Sequence, residues 1–334
     1  MRLKKGILFG IFASAVVFGC KDSGKNHVQI TEQEPVDNST AQTYAEIAVK
    51  SGGEWEGRQY KGGSFENVEE LELPEQHTDH SGFIKYEGPG WENSQVAYRL
   101  YLDWRNAIDI FGKKTDSMIL KGVGREDAPS YHEEADWGLD ILKAGKSLGL
   151  GGFGRYIADS VVHFRNVEKT RTQIRNTDDF SEVVIDYSDW ITGNDSIDLS
   201  ASFTITPEDR YTKVELSPSE PIEDLATGIV KFDDIEVQQK KSPDGKWGYI
   251  ATYGKQTLVD DEDQLGMAIL YNTDEVAELK EGPYDHLVIF KPEEDITYYF
   301  LAAWEQEQKG INSEEAFIAD LNEKLEQLDI TGEL

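Results

Sequence analysis

The segment Val96–Arg105 sets chemically capable side chains at strand spacing. Alternation sends Val96, Tyr98, Leu100 and Leu102 to one face and Arg99, Tyr101, Asp103 and Arg105 to the other. The second face carries two guanidinium groups, a phenol and a carboxylate, with Trp91 just before it and Trp104 at its end. A solvated outer face would have the same pattern, but tryptophans beside Arg and Asp favour a sugar cleft. Val161–Val167 repeats the design, with His163 and Arg165 on a shared face.

Histidines supply the other candidates. His77-Thr78-Asp79-His80 offers a catalytic pair or part of a metal site, incomplete for zinc without a ligand from elsewhere. Tyr131-His132-Glu133-Glu134 sets a histidine beside carboxylates that would raise its basicity. Each histidine taken alone fits a structural or surface role better than catalysis. What distinguishes His77, His80, His132 and His163 is that all four fall within stretches rich in aromatics and arginine. Two tempting motifs fail. Gly145-Lys146-Ser147 lacks the upstream glycine of a phosphate loop, Asp140 standing in its place. Asp260–Asp263 lacks calcium-loop spacing and reads as a solvated turn.

Charge sharpens the picture. The 334 residues carry 33 Lys+Arg against 64 Asp+Glu, a formal charge of −31. A balance this acidic excludes a protein that binds nucleic acid by neutralising phosphates, and argues against electrostatic adhesion to anionic lipid. Yet between Lys143 and Arg175 seven basic residues face only Asp159 and Glu168. That local excess predicts a positive cleft for an anionic ligand.

Strands must position these groups. In 197–206, Ile197, Leu199, Ala201, Phe203 and Ile205 alternate with polar residues, as in a half-buried antiparallel strand. Similar segments recur at Val96–Trp104, Val161–Val167, Val183–Tyr187, Tyr211–Ser217, Trp247–Tyr253, Leu265–Tyr271, His286–Phe290 and Thr297–Ala303. Pro243-Asp244-Gly245 and Glu281-Gly282-Pro283 have turn chemistry. With no βαβ rhythm, the expectation is all-β: a large antiparallel, supersandwich-like β-sandwich with a C-terminal helix and a short helical insertion. The helix is signalled by Asn312 with Glu315 and by Phe317, Ile318, Leu321, Leu325 and Leu328, and is expected on a sheet edge. Glu133–Leu148 is the expected insertion.

The N-terminus gives an address. Arg2, Lys4 and Lys5 precede an apolar run from Gly6 to Gly19, too short to span a bilayer. It ends at Cys20, the sole cysteine, which excludes a disulfide framework and any Cys-rich metal site. Val17-Phe18-Gly19-Cys20 resembles the lipobox of bacterial lipoproteins, although Phe18 departs from its small residue. An ordinary secretory signal with a chance cysteine is the alternative. The expected organisation is a signal over 1–19, a flexible tether over 20–43 and one β-sandwich catalytic domain over 44–334. The chain is expected to be exported and anchored at the outer membrane by a lipid on Cys20, the membrane contact being that anchor alone.

Further residues carry a resemblance. Glu87-Gly88-Pro89-Gly90-Trp91-Glu92-Asn93, the run Val96–Asn106, His132, Asp136-Trp137-Gly138, Asp140-Ile141-Leu142-Lys143 and Gly145 are similar to an uncharacterised-domain family of bacterial polysaccharide-utilisation lipoproteins. One branch resembles the oligosaccharide dehydratases of ulvan breakdown, which take water from a non-reducing-end glucuronate or iduronate and leave a 4,5-unsaturated uronate. The resemblance implies an anionic oligosaccharide as partner and a carbon–oxygen lyase activity.

Such an elimination removes the proton α to a carboxylate, so it needs a base, an acid for the departing hydroxyl and a cation for the carboxylate. His132 or His163 is the expected base and Tyr101 the acid. Arg99, Arg105 or Arg165 would hold carboxylate and sulfate, with Lys143 in the same basic window. Trp91 and Trp137 would stack on the sugar. His77, Asp79 and His80 are held in reserve for catalysis or a metal. No cofactor is called for, and a divalent metal stays open. A polysaccharide lyase would use the same groups. A glycan-binding lipoprotein would need no base, and a glycoside hydrolase would need two facing carboxylates.

Overall fold

The computed structural model describes residues 42–308 and 310–334. The signal segment, Cys20 and the tether up to residue 41 lie outside the described residues. Among the described residues, three antiparallel sheets make up the architecture. The six-stranded sheet runs in the order Gln59–Val68, Thr43–Glu56, Gly90–Asn93, Ala97–Leu100, Ile108–Lys113, Gly138–Asp140. Nine strands form the largest sheet, from Gln238–Lys241 at one edge to Glu70–Glu72 at the other, and five form the third around Leu225–Val230.

Alternation explains how the sheets stack. Along Asp195–Ile205 the residues Ile197, Leu199, Ala201, Phe203 and Ile205 are buried while their neighbours are half-buried or exposed. Facing them, Trp91 and Tyr98 of the six-stranded sheet and Phe153 of the five-stranded one enter the same core. Trp91 stacks on Phe203 at 5.2 Å, and its Nε1 donates to Thr212 Oγ1 at 2.9 Å. Tyr98 Oη accepts from Ala302 N at 2.9 Å, tying the six-stranded sheet to the nine-stranded one. The result is the expected antiparallel sandwich. Tyr211–Ser217, Trp247–Tyr253, Leu265–Tyr271, His286–Phe290 and Thr297–Ala303 coincide with observed strands to within a residue, and Val183–Tyr187 lies inside the longer strand Ser181–Thr192.

Five local expectations are corrected. Glu133–Leu148 is no helix; it holds turns and the short strand Gly138–Asp140. Gly138 has φ 124°, and a Cβ there would meet Gly112 O at 1.8 Å, so the chain passes too close to its neighbour for a helix. The strand at Val161–Val167 ends at Val162, and that at Val96–Trp104 ends at Leu100, where a turn over 102–105 begins. The C-terminal helix, Glu314–Thr331, covers a sheet face and not an edge. Phe317, Leu321, Leu325 and Leu328 pack on Tyr249, Ala251, Ala268 and Leu270 of the nine-stranded sheet. Its cap is Ser313, one residue beyond Asn312, whose side chain accepts from Ala316 N.

The six-stranded sheet also has a polar outer face, and a loop over 114–137 lies on it. Ile119, Leu120 and Val123 of that loop pack with Tyr44, Tyr86, Ala97 and Phe111. Buried ions pin it down: Glu92 accepts from the N–H groups of Ile119 and Leu120, each at 2.8 Å, and from Lys113 Nζ at 3.0 Å. Lys85 pairs with Glu46 and donates to Leu120 O at 2.8 Å. Burial lowers both lysines and raises Glu92 from their ordinary values, so each charge depends on its partner.

Candidate active site

The register of the six-stranded sheet assembles the charged cluster. Arg99 lies directly opposite Asp109, and Phe111 lies opposite Asp140. Because side chains two apart share a face, Arg99, Asp109 and Asp140 converge. Arg99 Nη2 donates to Asp109 Oδ2 at 2.9 Å, to Asp140 Oδ2 at 2.7 Å and to Tyr101 Oη at 2.6 Å. Tyr101 Oη in turn donates to Asp109 Oδ2 at 2.7 Å. Arg99 Nε and Asp140 Oδ1 are buried without a hydrogen-bond partner among the described residues.

The loop delivers a histidine to this cluster. Asp140 N donates to Tyr131 O at 2.8 Å, clamping the turn 130–133 against the strand Gly138–Asp140. His132 Nδ1 thereby lies 3.1 Å from Asp140 Oδ2. The His132 side chain is 58% exposed, whereas that of Asp140 is 2% exposed. A buried carboxylate against Nδ1 favours the tautomer that leaves Nε2 unprotonated. That is the arrangement an oriented general base requires. The expected partners Glu133 and Glu134 do not supply the carboxylate: both are exposed, and Glu134 pairs with Lys114.

Aromatic and charged groups surround the pair. The Arg99 guanidinium lies 4.6, 5.3 and 5.1 Å from the rings of Tyr101, Phe111 and Tyr131. Arg105 stacks on the Tyr101 ring at 3.8 Å and pairs with Asp103 and with Glu87 at 3.0 Å. His80 lies 3.7 Å from Glu87, at the exposed rim. Burial first, and then the charge of Asp140, raise the Asp109 carboxyl to about 6 against the pull of Arg99. Burial and the Asp109 charge push the Tyr101 phenol well above its ordinary value.

A model of a domain of unknown function, DUF4861, matches residues 14–330. The chain belongs to that family. No curated protein matches it. Membership of the DUF4861 family brings no chemistry with it, so the activity has to be argued from side chains.

Of the sequence-derived candidates in this family member, His132, Tyr101, Arg99, Arg105 and His80 lie in one chain of contacts. Arg99 is 1% exposed with Nη2 committed three times over, so it orders the site from beneath and does not reach a ligand. Trp91 is corrected more strongly: fully buried between sheets, it is a core residue and no sugar platform. Trp137 packs edge-on to Phe111 at 6.0 Å, half-buried. Asp109 and Tyr131 were not singled out for this role. The available signal was Asp109 itself, a lone carboxylate in the otherwise apolar run Ile108–Phe111.

The other candidates stand on the far side of the turn 102–105. His163 Nδ1 is 2.8 Å from Arg105 O, its ring edge-on to Trp104 at 5.6 Å, and burial lowers its pKa. Arg165 lies over Trp104 at 3.6 Å. His77 uses both ring nitrogens, with Leu102 O at 2.9 Å and Ser81 Oγ at 3.0 Å. His77, Asp79 and His80 therefore do not converge as a ligand set. Among the described residues no three His, Cys, Asp or Glu side chains form a metal-binding group.

The basic window Lys143–Arg175 is dispersed, not gathered into one positive cleft. Lys143 is exposed, and Lys146 lies over Tyr284 at 5.5 Å. Arg155 pairs with Asp195 at 2.5 Å and Arg171 with Glu70 at 2.6 Å, while Arg175 lies over Phe180. Lys143 and Lys146 lie outside the strands, Arg155 is on the five-stranded sheet and Arg171 and Arg175 are on the nine-stranded one, which is why proximity in sequence does not become proximity in space.

Proposed function

We propose that this protein is a hydro-lyase that removes water from a terminal uronate of an oligosaccharide, with His132 as base. The observation that carries the reading is the exposed His132 imidazole held by the buried Asp140 carboxylate. His132 Nε2 takes the C5 proton, the electron pair forms the C4–C5 double bond, and the C4–O bond breaks. The departing hydroxyl leaves as water once it takes a proton. Tyr101 is the group to pass it, drawing a proton from Asp109, whose carboxyl at about 6 is partly protonated near neutral pH. Arg105 is the more exposed guanidinium of the cluster; with Nε and Nη2 held by Asp103 and Glu87, it offers Nη1 to the substrate carboxylate. The uronate class rests on the resemblance of the Glu87–Asn106 and His132–Gly145 residues to polysaccharide-utilisation lipoproteins. Export and a lipid on Cys20 belong to the same proposal.

The test is incubation with uronate-ended oligosaccharides, following near-UV absorbance of the conjugated double bond together with product mass. The expected result is a new absorbance with the loss of one water and an uncut chain. Cleavage into two fragments would replace the dehydratase with a polysaccharide lyase. Absence of both signals on all such substrates would leave a glycan-binding lipoprotein.

A further inference from the structure

Across the turn 102–105 from His132 lies a cleft of about 670 Å³. That volume suits one or a few sugar rings. Its floor is aromatic, formed by Phe164 and Tyr187, and Phe164 stacks on Trp190 at 4.0 Å. Its walls carry Trp104, Arg165, Lys169 and Arg58 on the cationic side. None of those three cations pairs with a carboxylate among the described residues; Arg58 donates only to the carbonyls of Gln76 and His77. The carboxylates present are Glu75, Asp79, Asp103 and Glu168, of which Asp103 is neutralised by Arg105 and Asp79 is held by Thr78 and lies near His80.

We propose that this cleft binds a sugar residue bearing an anionic group, a carboxylate or a sulfate. Sugar hydroxyls both donate and accept, so they match a wall that mixes unpaired cations with carboxylates. The anionic group is matched by Arg165. Its guanidinium lies over the Trp104 ring at 3.6 Å, which restrains it while leaving donors free for a two-point contact. The wall is ordered before any ligand arrives. His77 is tied through both nitrogens, and Trp104 is wedged between Arg165 and the edge of His163. Such preorganisation lowers the entropy lost on binding. The inference stands on this wall and does not use His132.

Calorimetric titration of the full mature chain tests it with four probes: a glucuronyl disaccharide carrying a sulfate, the same disaccharide without it, neutral cellobiose, and inorganic sulfate. At least one glucuronyl probe is expected to bind at least about tenfold more tightly than cellobiose. Loss of affinity on removing the sulfate identifies sulfate as the recognised anion; no loss identifies the carboxylate. Arg165→Gln, an exposed position, is expected to weaken that probe about tenfold or more with an unchanged melting temperature. Trp104→Ala should do likewise, as a second variant. Equal affinity in both variants, no binding of either glucuronyl probe, or inorganic sulfate binding as tightly as the sugar would overturn the proposal. His132→Ala should bind the probe as wild type does, so missing dehydration with retained binding counts against the hydro-lyase alone. Dehydration with no binding lost in Arg165→Gln counts against the cleft alone.

Discussion

His132 Nδ1 and Arg99 Nη2 both approach one buried oxygen, Asp140 Oδ2, at 3.1 and 2.7 Å. The oxygen that orients the exposed imidazole is thus fixed by a guanidinium that never meets solvent. Replacing Asp140 by Asn should leave His132 in place without its tautomeric bias. The expected loss of dehydration rate is about 10²–10⁴-fold, comparable to that in His132→Ala. Steady-state rates of both variants check this, and a rate within threefold of wild type for both would remove the pair from the reaction.

Arg99→Ala should act on the fold before it acts on chemistry. It leaves Asp109 and Asp140 buried with no cation between them, a loss of about 3–5 kcal/mol. Urea unfolding measures it directly. A change below 1 kcal/mol would mean that the two carboxyls are neutralised in another way.

Tyr101→Phe keeps the ring under Arg105 and deletes the hydroxyl between Arg99 and Asp109. If the phenol passes the proton to the departing hydroxyl, kcat falls by about 10²-fold or more while KM holds. A purely structural phenol would instead give a stability loss of about 1–3 kcal/mol with kcat retained in the folded fraction.

Asp285 offers a test of burial away from the site. It is 2% exposed, accepts from Leu148 N at 2.8 Å, and burial raises its carboxyl to about 7. Since the folded value exceeds the ordinary 3.8, the native state binds this proton more tightly than the unfolded chain. Its contribution is complete below about 4 and is lost as pH rises through about 7. Asp285→Asn should therefore raise the melting temperature above neutrality, by at most about 4 kcal/mol in stability, relative to its effect in acid. Melting curves at acidic and alkaline pH decide it; a gain of equal size at both would refute it.

Phe317→Ala should cost about 3–5 kcal/mol, because the ring is fully buried in the seam between the C-terminal helix and the nine-stranded sheet. Denaturant unfolding measures it, and a loss under 1 kcal/mol would show that the helix is held mainly by other contacts.

Local pattern was enough for the class of fold. Period-two burial along Asp195–Ile205 and helical spacing from Phe317 to Leu328 follow from backbone geometry, and both appear as read. The face shared by Arg99 and Tyr101 was legible for the same reason, and Arg105 joins it through a turn instead of a strand. What sequence did not contain was partnership. Asp109 meets Arg99 through strand register, and Asp140 meets His132 because the Tyr131 carbonyl accepts the Asp140 amide. The same limit undid the basic window, whose residues share a stretch of sequence but are spread over two sheets and the segments between strands. Trp91 and Trp104 look alike beside one strand, yet Trp91 fills the core and Trp104 lines a cleft. Residue type and spacing determine which side chains leave one face together. Which groups they then meet depends on long-range pairing between strands, and the chemistry proposed for His132 rests on that pairing.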